Sequence, residues 1–446
     1  MGSNNQDSPS PSQSTSRRNF LHTTSALAAS GALTGAMGIA RAAHPGGSDE
    51  IKIGLVGAGG RGTSAAAQAM NTEGPTKLVA VCDAFEHRLK ACMKQLSSYG
   101  DKVDVPKERQ HVGFDAYKKV LESDCDLVIL ATPPGFRPLH FEAAVAAGKH
   151  IFMEKPVAVD ATGVRRVLEA NKSAVEKNLA VAVGLQRRHE QAYIDTVKRI
   201  REDNQIGDIV SARAYWNGGG VWVRPRKPEQ SEMAYQMENW YYFNWLCGDH
   251  ITEQHIHNLD VINWIKDSYP VSAQGMGGRE VRTGIDHGQI FDHHFVEFTY
   301  ADDSKLFSQC RHIPNCWSKV GETVQGTNGR ADVGAGEIYD ASGKSAWKYG
   351  RGGRGGHQQE HHDLFASLRA GKIPNEAEYG AMSTMTSILG RMATYSGKMI
   401  QMKDALASEL VVSPVDEFHS FDDTPPVVPD SNGRYPLPVP GKTAVV

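Results

Sequence analysis

Residues 51–62, Ile-Lys-Ile-Gly-Leu-Val-Gly-Ala-Gly-Gly-Arg-Gly, constrain this chain more than any other stretch. Alternating apolar residues lead into Gly57-x-Gly59-x-x-Gly62, and an alanine-rich helical run over residues 63–70 follows. Strand, glycine turn and helix in that order suit a dinucleotide phosphate. Gly57 permits the tight turn and Gly59 lets the backbone approach the pyrophosphate. Gly62 lets the helix pack close to the sheet, with its N-terminal N–H groups aimed at the anion. Gly60 and Arg61 belong to the same loop and are assigned to the cofactor site with it. A second apolar strand, residues 77–82, ends at Asp83. A carboxylate there accepts hydrogen bonds from adenosine ribose hydroxyls and repels a 2′-phosphate. NAD is the expected cofactor. NADP is the alternative, because Arg61 and Arg88 are close enough in sequence to reach a phosphate.

The alternation continues. Residues 126–131 form a continuous apolar run, as expected of a parallel strand covered on both faces, and stop at Thr132-Pro133-Pro134. A helix over 140–147 ends at Gly148, a strand over 150–153 runs into Glu154-Lys155-Pro156, and a helix (161–177) and a strand (180–185) follow. This βαβα order predicts a doubly wound parallel sheet, a Rossmann dinucleotide-binding domain over residues 51–185. After Gln186 the texture changes. A helix over 191–204 precedes strands at 209–216 and 291–300 whose apolar residues alternate, the pattern of an antiparallel sheet with one packed face. The predicted class is therefore α/β, with a C-terminal α+β domain over 186–402 built on an open, mostly antiparallel sheet. A proline-rich tail, 403–446, is expected to cross the surface as extended chain. Residues 217–239, with their glycines, prolines and aromatics, read as a lid or binding loop. One helix is expected over 250–266, and others over 357–370 and 378–402.

The N-terminus has a different character. A Ser/Pro-rich lead reaches Ser16-Arg17-Arg18-Asn19-Phe20-Leu21, a mild apolar run covers 26–40, and Ala40-Arg41-Ala42 offers a cleavage site. Residues 1–42 resemble a twin-arginine export signal, which implies periplasmic or other extracytoplasmic localisation after transport of the folded, cofactor-loaded protein. A net charge of -3 gives no reason to expect nucleic acid or, once the signal is removed, membrane as a partner. The six cysteines lack the spacing of a disulfide framework or a zinc site. Two arginines in the glycine-rich loop at 350–356 read as a mobile loop rather than an RNA-binding tract.

Asp83, Thr132-Pro133, His140, Ala147-Gly148-Lys149-His150 and Glu154-Lys155-Pro156, in this order, resemble the Gfo/Idh/MocA family of glucose–fructose oxidoreductases and inositol dehydrogenases. The resemblance spans about residues 51–402. It implies a nicotinamide at the C-terminal edge of the Rossmann sheet, with Thr132, Pro133, His140, Glu154 and Gln186 on the cofactor side, and a homo-oligomer. It also implies an acid followed four residues later by a histidine on a helix facing the nicotinamide. Aligning on His-x-Leu-Asp gives His257 and Glu253, with Glu where the family has Asp. Asp249, one turn further back, is the rival acid.

Hydride transfer from a carbinol leaves a proton on oxygen, and an imidazole suits its removal. His257 is assigned as general base, Lys155 as the donor that steadies negative charge on the same oxygen, and Glu253 as the orienting acid. Asp249, His250, Trp240 and His293 are assigned to substrate binding, with a sugar or polyol as the substrate class. No metal is assigned, because His255 and His257, like His293 and His294, point to different faces. The leading reading is an NAD(P)-dependent oxidoreductase acting on CH–OH groups. The alternatives are a glycoside-cleaving enzyme working by transient oxidation and elimination, and a non-catalytic dinucleotide-binding protein.

Overall fold

A computed structural model describes Gly2, residues 49–350, Gly352, Gly353 and residues 355–446. The twin-arginine pair and the rest of the expected signal beyond Gly2 lie outside the described residues, as do Arg351 and Arg354 of the glycine-rich loop.

The first sheet contains β1 (Ile51–Val56), β2 (Thr76–Asp83), β3 (Gln110–Val112), β4 (Leu127–Leu130), β5 (His150–Met153) and β6 (Val181–Val183). They are all parallel, in the order β3-β2-β1-β4-β5-β6. Strands β4 and β6 are buried at every position, which explains their unbroken apolar sequence. The helices Gly60–Met70, Glu86–Leu96, Arg137–Ala146 and Ala161–Glu176 supply the connections. Chain order reverses across β1 and β4, so the crevice of a doubly wound sheet opens there.

The second sheet has nine strands in the order β14-β13-β12-β11-β7-β10-β9-β8-β15. These are β7 (Ile209–Gly218), β8 (Ser272–Gly278), β9 (His293–Thr299), β10 (Lys305–His312), β11 (Lys319–Gly326), β12 (Gly329–Asp332), β13 (Glu337–Asp340), β14 (Ser345–Lys348) and β15 (Ile400–Gln401). Neighbours are antiparallel except β7 and β10, which run parallel. Burial alternates along β9 and β10: His294, Val296 and Phe298 face inward, as do Leu306, Ser308, Cys310 and His312. The helices Ile256–Lys266 and Ala377–Ser396 pack on this sheet. Ala377–Ser396 also packs against Ala161–Glu176 of the first domain, which makes it a shared buried spine. The expected fold class is the one observed.

Two details differ from the sequence reading. Strand β3 falls in a stretch for which the sequence predicts no strand. The helix expected over 250–266 is broken into His250–Glu253 and Ile256–Lys266. At the break His255 N–H reaches back to the His250 carbonyl and His257 N–H to the Gln254 carbonyl, so helical spacing is lost between them.

The tail opens in the short helix Met402–Ala407 and then packs along the first domain. Asp160 accepts hydrogen bonds from Val412 N–H (2.8 Å) and Ser413 N–H (3.1 Å), Arg166 pairs with Asp416 (2.6 Å), and Phe418 packs edge-on to Trp245.

Candidate active site

The residues that follow β1, β2, β4, β5 and β6 meet at the C-terminal edge of the parallel sheet, around a cavity of about 550 Å³. Gly57 has φ +97°, and a Cβ there would stand 2.7 Å from the Thr132 nitrogen. A Cβ on Gly62 would lie 1.9 Å from the Gly57 carbonyl oxygen, so helix Gly60–Met70 packs this close only with glycine. Gly62 thus sits behind the wall, whereas Gly59 and Gly60 line the cavity with open space beyond them.

Asp83 accepts hydrogen bonds from Ala58 N–H (2.8 Å) and Phe85 N–H (2.9 Å), and burial raises its pKa. Both arginines that were rivals for a 2′-phosphate are engaged elsewhere. Arg61 donates to Glu154 (2.5 Å), Gln68 (2.6 Å) and Glu360 (2.9 Å), and Arg88 donates to Glu238 (2.7 Å). Thr132, Pro133, Glu154 and Gln186 line the cavity. His140 lines it too, with Nδ1 3.1 Å from Thr132 Oγ1. Burial, then Arg137, holds its imidazole down at about 3, so it is neutral.

At the other end, Lys155 follows β5 and is joined to Pro156 by a cis peptide. Its ammonium donates to the Glu253 carboxylate (3.0 Å) and to the Glu253 carbonyl (2.5 Å). His257 shares this wall with Gln254, and its ring stacks near Trp216, 6.0 Å between centroids. Burial first, and then the Lys155 cation, hold His257 well below the usual imidazole range, and its Nδ1 has no hydrogen-bond partner among the described residues. Beneath it Asn258 donates to Glu322 (2.7 Å), which also pairs with Arg187. Trp240 and Trp222 also line the cavity and meet edge-on.

Three residues assigned to substrate stand elsewhere. Asp249 and His250 are fully buried and do not line the cavity. Asp249 has φ +69° and caps the turn His250–Glu253 instead of continuing a helix face. Its carboxylate accepts from His250 N–H (2.5 Å), the His250 ring (2.8 Å), Phe291 N–H (2.9 Å) and Tyr395 O–H (2.6 Å). His294 Nε2 lies 3.4 Å away, and the trio Asp249, His250 and His294 brings possible ligand atoms within 4.8 Å of one another. With its donors already present, the carboxylate is satisfied as a structural anion. His293 also lies off the cavity, its ring held by Asp292 (2.8 Å) on the less buried face of β9. The sequence reading missed Arg224, Gln254 and His357, all in the cavity wall. Only the unusual composition of the 217–239 loop signalled the first of these.

Comparison with known proteins defines the class. Residues 51–185 match the Gfo/Idh/MocA family, an oxidoreductase family with an NAD-binding Rossmann fold. Among curated relatives, inositol 2-dehydrogenase of Klebsiella pneumoniae (strain 342) is 26% identical over 269 residues, 59% of this chain and 68% of that protein. The inositol 2-dehydrogenase of Agrobacterium fabrum is 28% identical over 269 residues, with the same coverage. Scyllo-inositol dehydrogenase from Lactobacillus casei, solved with NAD(H) and scyllo-inositol, superposes with a TM-score of 0.61 at 19% identity. That match covers 79% of this chain and 99% of the other, a likeness of fold. The chain therefore carries the Rossmann domain of the Gfo/Idh/MocA oxidoreductases over residues 51–185. It is an NAD-dependent oxidoreductase with inositol 2-dehydrogenases among its relatives.

Proposed function

We propose that this protein oxidises a secondary hydroxyl of a polyol or sugar, or reduces the corresponding ketone. One observation carries the reading: Lys155, Glu253 and His257 converge on one wall of the cavity that the dinucleotide loop opens into. NAD supplies the hydride acceptor. His257, neutral because burial and Lys155 disfavour its charged form, takes the hydroxyl proton. Lys155 donates a hydrogen bond to the same oxygen and steadies the negative charge that grows as the proton leaves. Glu253 holds the Lys155 ammonium in place. The tryptophans Trp216 and Trp240 suit the apolar faces of a sugar or cyclitol ring. The names of the inositol dehydrogenase relatives support the polyol class.

Export through residues 1–42 belongs to the same proposal, as does self-association. For the latter, Phe295 and Phe307 stand half-buried on adjoining strands of the second sheet, on the face away from its helices.

Incubating the purified protein with NAD and a panel of inositols, aldoses and aryl glycosides tests the reading. Stoichiometric NADH and a ketone are expected. Release of aglycone with no net change in NAD would replace it with oxidative elimination. No turnover with NAD firmly bound would leave a dinucleotide binder.

A further inference from the structure

Two segments from the C-terminal half of the chain face the adenosine side of the cofactor cavity. Residues 219–239 bring Trp222, Arg224 and Met237 to the wall of the cavity that Asp83, Phe85 and Arg88 also line. Glu238, at the end of helix Glu232–Glu238, is 8% exposed and bridges back to the Rossmann domain, taking His87 Nε2 at 2.9 Å and Arg88 Nη2 at 2.7 Å. From the tail, Phe421 packs on Phe85, 4.7 Å between centroids, and edge-on to Phe114 at 5.1 Å. The two segments are tied to each other. Ser231 O–H donates to the Phe421 carbonyl (2.5 Å), Gln236 donates to the Val427 carbonyl (2.6 Å), and Tyr435 O–H donates to Glu232 (2.5 Å).

The charges in this wall do not cancel. Arg88 is neutralised by Glu238, but no acidic side chain among the described residues pairs with Arg224. Its guanidinium lies over the Trp222 ring, 4.7 Å from the centroid, and its backbone N–H is fixed by Asn239 Oδ1 at 2.9 Å. Partial burial, then Arg88, lowers the Arg224 pKa, and Glu238, already bonded to His87 and Arg88, offsets this only in part. A guanidinium held on an aromatic shelf, in a cavity that the dinucleotide loop also lines, is suited to a phosphate oxygen.

We propose that these segments complete the cofactor site: Arg224 binds a phosphate of NAD, while the Glu238 bridge and Phe421 close the adenosine end behind it. The inference rests on the assignment of this cavity to NAD, and it makes cofactor release depend on opening a clasp that the second domain and the tail build together. The Rossmann domain alone would then be an incomplete site.

The test is NADH binding and dissociation on the full chain, followed by fluorescence in displacement experiments, with melting temperature confirming the fold of each variant. NADH binding by the wild type checks the cavity assignment by itself, and its absence would overturn the clasp as well. Arg224→Met is expected to weaken NADH about tenfold or more, the loss of one charged hydrogen bond, and to flatten the salt dependence, with Arg224→Lys intermediate. Glu238→Gln and Phe421→Leu, milder changes than alanine, are expected to speed dissociation with little effect on association. Unchanged affinity in Arg224→Met, or unchanged dissociation in both closing variants, would overturn the proposal. So would an Arg224→Met variant that binds NADH normally but loses affinity for an acidic sugar, because Arg224 would then serve the substrate.

Discussion

The Lys155 ammonium is held by two oxygens of one residue, the Glu253 carboxylate at 3.0 Å and the Glu253 backbone carbonyl at 2.5 Å. Lys155 follows the fifth strand of the parallel sheet and Glu253 ends a short turn of the second domain, so this contact sets the position of one domain's cation by the other's backbone. Lys155→Ala is expected to lower turnover by about 10²- to 10⁴-fold. Glu253→Gln should cost less, roughly tenfold, because the carbonyl still holds the lysine. NADH affinity, measured separately, should stay near wild type in both. A Glu253→Gln loss as deep as that of Lys155→Ala would mean that the carboxylate itself meets the substrate.

His257 is kept uncharged by burial and by Lys155. The sign follows from that. A base with a depressed pKa keeps its active form through neutral pH and loses it only as pH falls through the lowered value. The acid limb of the kcat/KM profile should therefore lie below the ordinary histidine value of about 6.5. His257→Ala should abolish that limb and lower turnover by about 10²- to 10⁴-fold. Because His257 and Lys155 act on one oxygen, the double variant should lose less than the product of the single losses. An acid limb at or above the ordinary value would remove His257 from the role of base.

Arg61 and Arg88 are both paired with carboxylates, so the ribose end offers Asp83 while neither arginine is free for a 2′-phosphate. The dinucleotide released on denaturing the purified protein should be NAD(H). Asp83→Asn keeps an acceptor for a backbone N–H but removes the charge. NAD should weaken roughly ten- to a hundredfold and the preference over NADP should shrink. Unchanged discrimination in that variant would assign the selection to Arg224 or another residue.

The parts of this molecule that could be read from sequence are those fixed by local chemistry. β4 is buried at every position and reads as an apolar run, and the glycine turn is marked by Gly57, whose positive φ favours glycine, and by Gly62, which packs on the Gly57 carbonyl five residues away. β3 was missed because its three residues are half-buried or exposed and carry no apolar signature. The broken helix at Gln254 was missed for another reason. Its residues tolerate a helix, and the break depends on Asp249 being held by Phe291 and Tyr395, distant in sequence. That same holding withdrew Asp249 and His250 from the substrate wall. His357 reaches the cavity because Gly356 packs on the Gln186 carbonyl, where a Cβ would stand at 2.4 Å. No local pattern announces such a contact.

Export is tested at the N-terminus. Residues 1–42 fused to a folded reporter should carry it out of the cytoplasm, and Arg17→Lys with Arg18→Lys should prevent this. Transport that persists in the double variant would assign the segment to the general secretory route.

His189 gives a prediction about stability. Its Nδ1 lies 2.7 Å from Asp363 and its Nε2 3.5 Å from Glu376, so it ties the short turn after β6 to both later helical segments. Burial alone would lower its pKa, but the hydrogen bond to Asp363 and the Glu376 carboxylate outweigh burial and push it up to about 10. The folded value is thus raised above the unfolded value of about 6.5. The tie is fully present below the unfolded pKa and is lost as pH rises toward the folded one. Urea unfolding should show stability falling between near-neutral pH and about pH 10, by on the order of 1.5–3 kcal/mol for loss of a charged hydrogen bond. His189→Gln keeps a donor but cannot titrate, so it should be less stable at neutral pH and should lack this decline. A wild-type decline that survives unchanged in His189→Gln would assign the titration to another group.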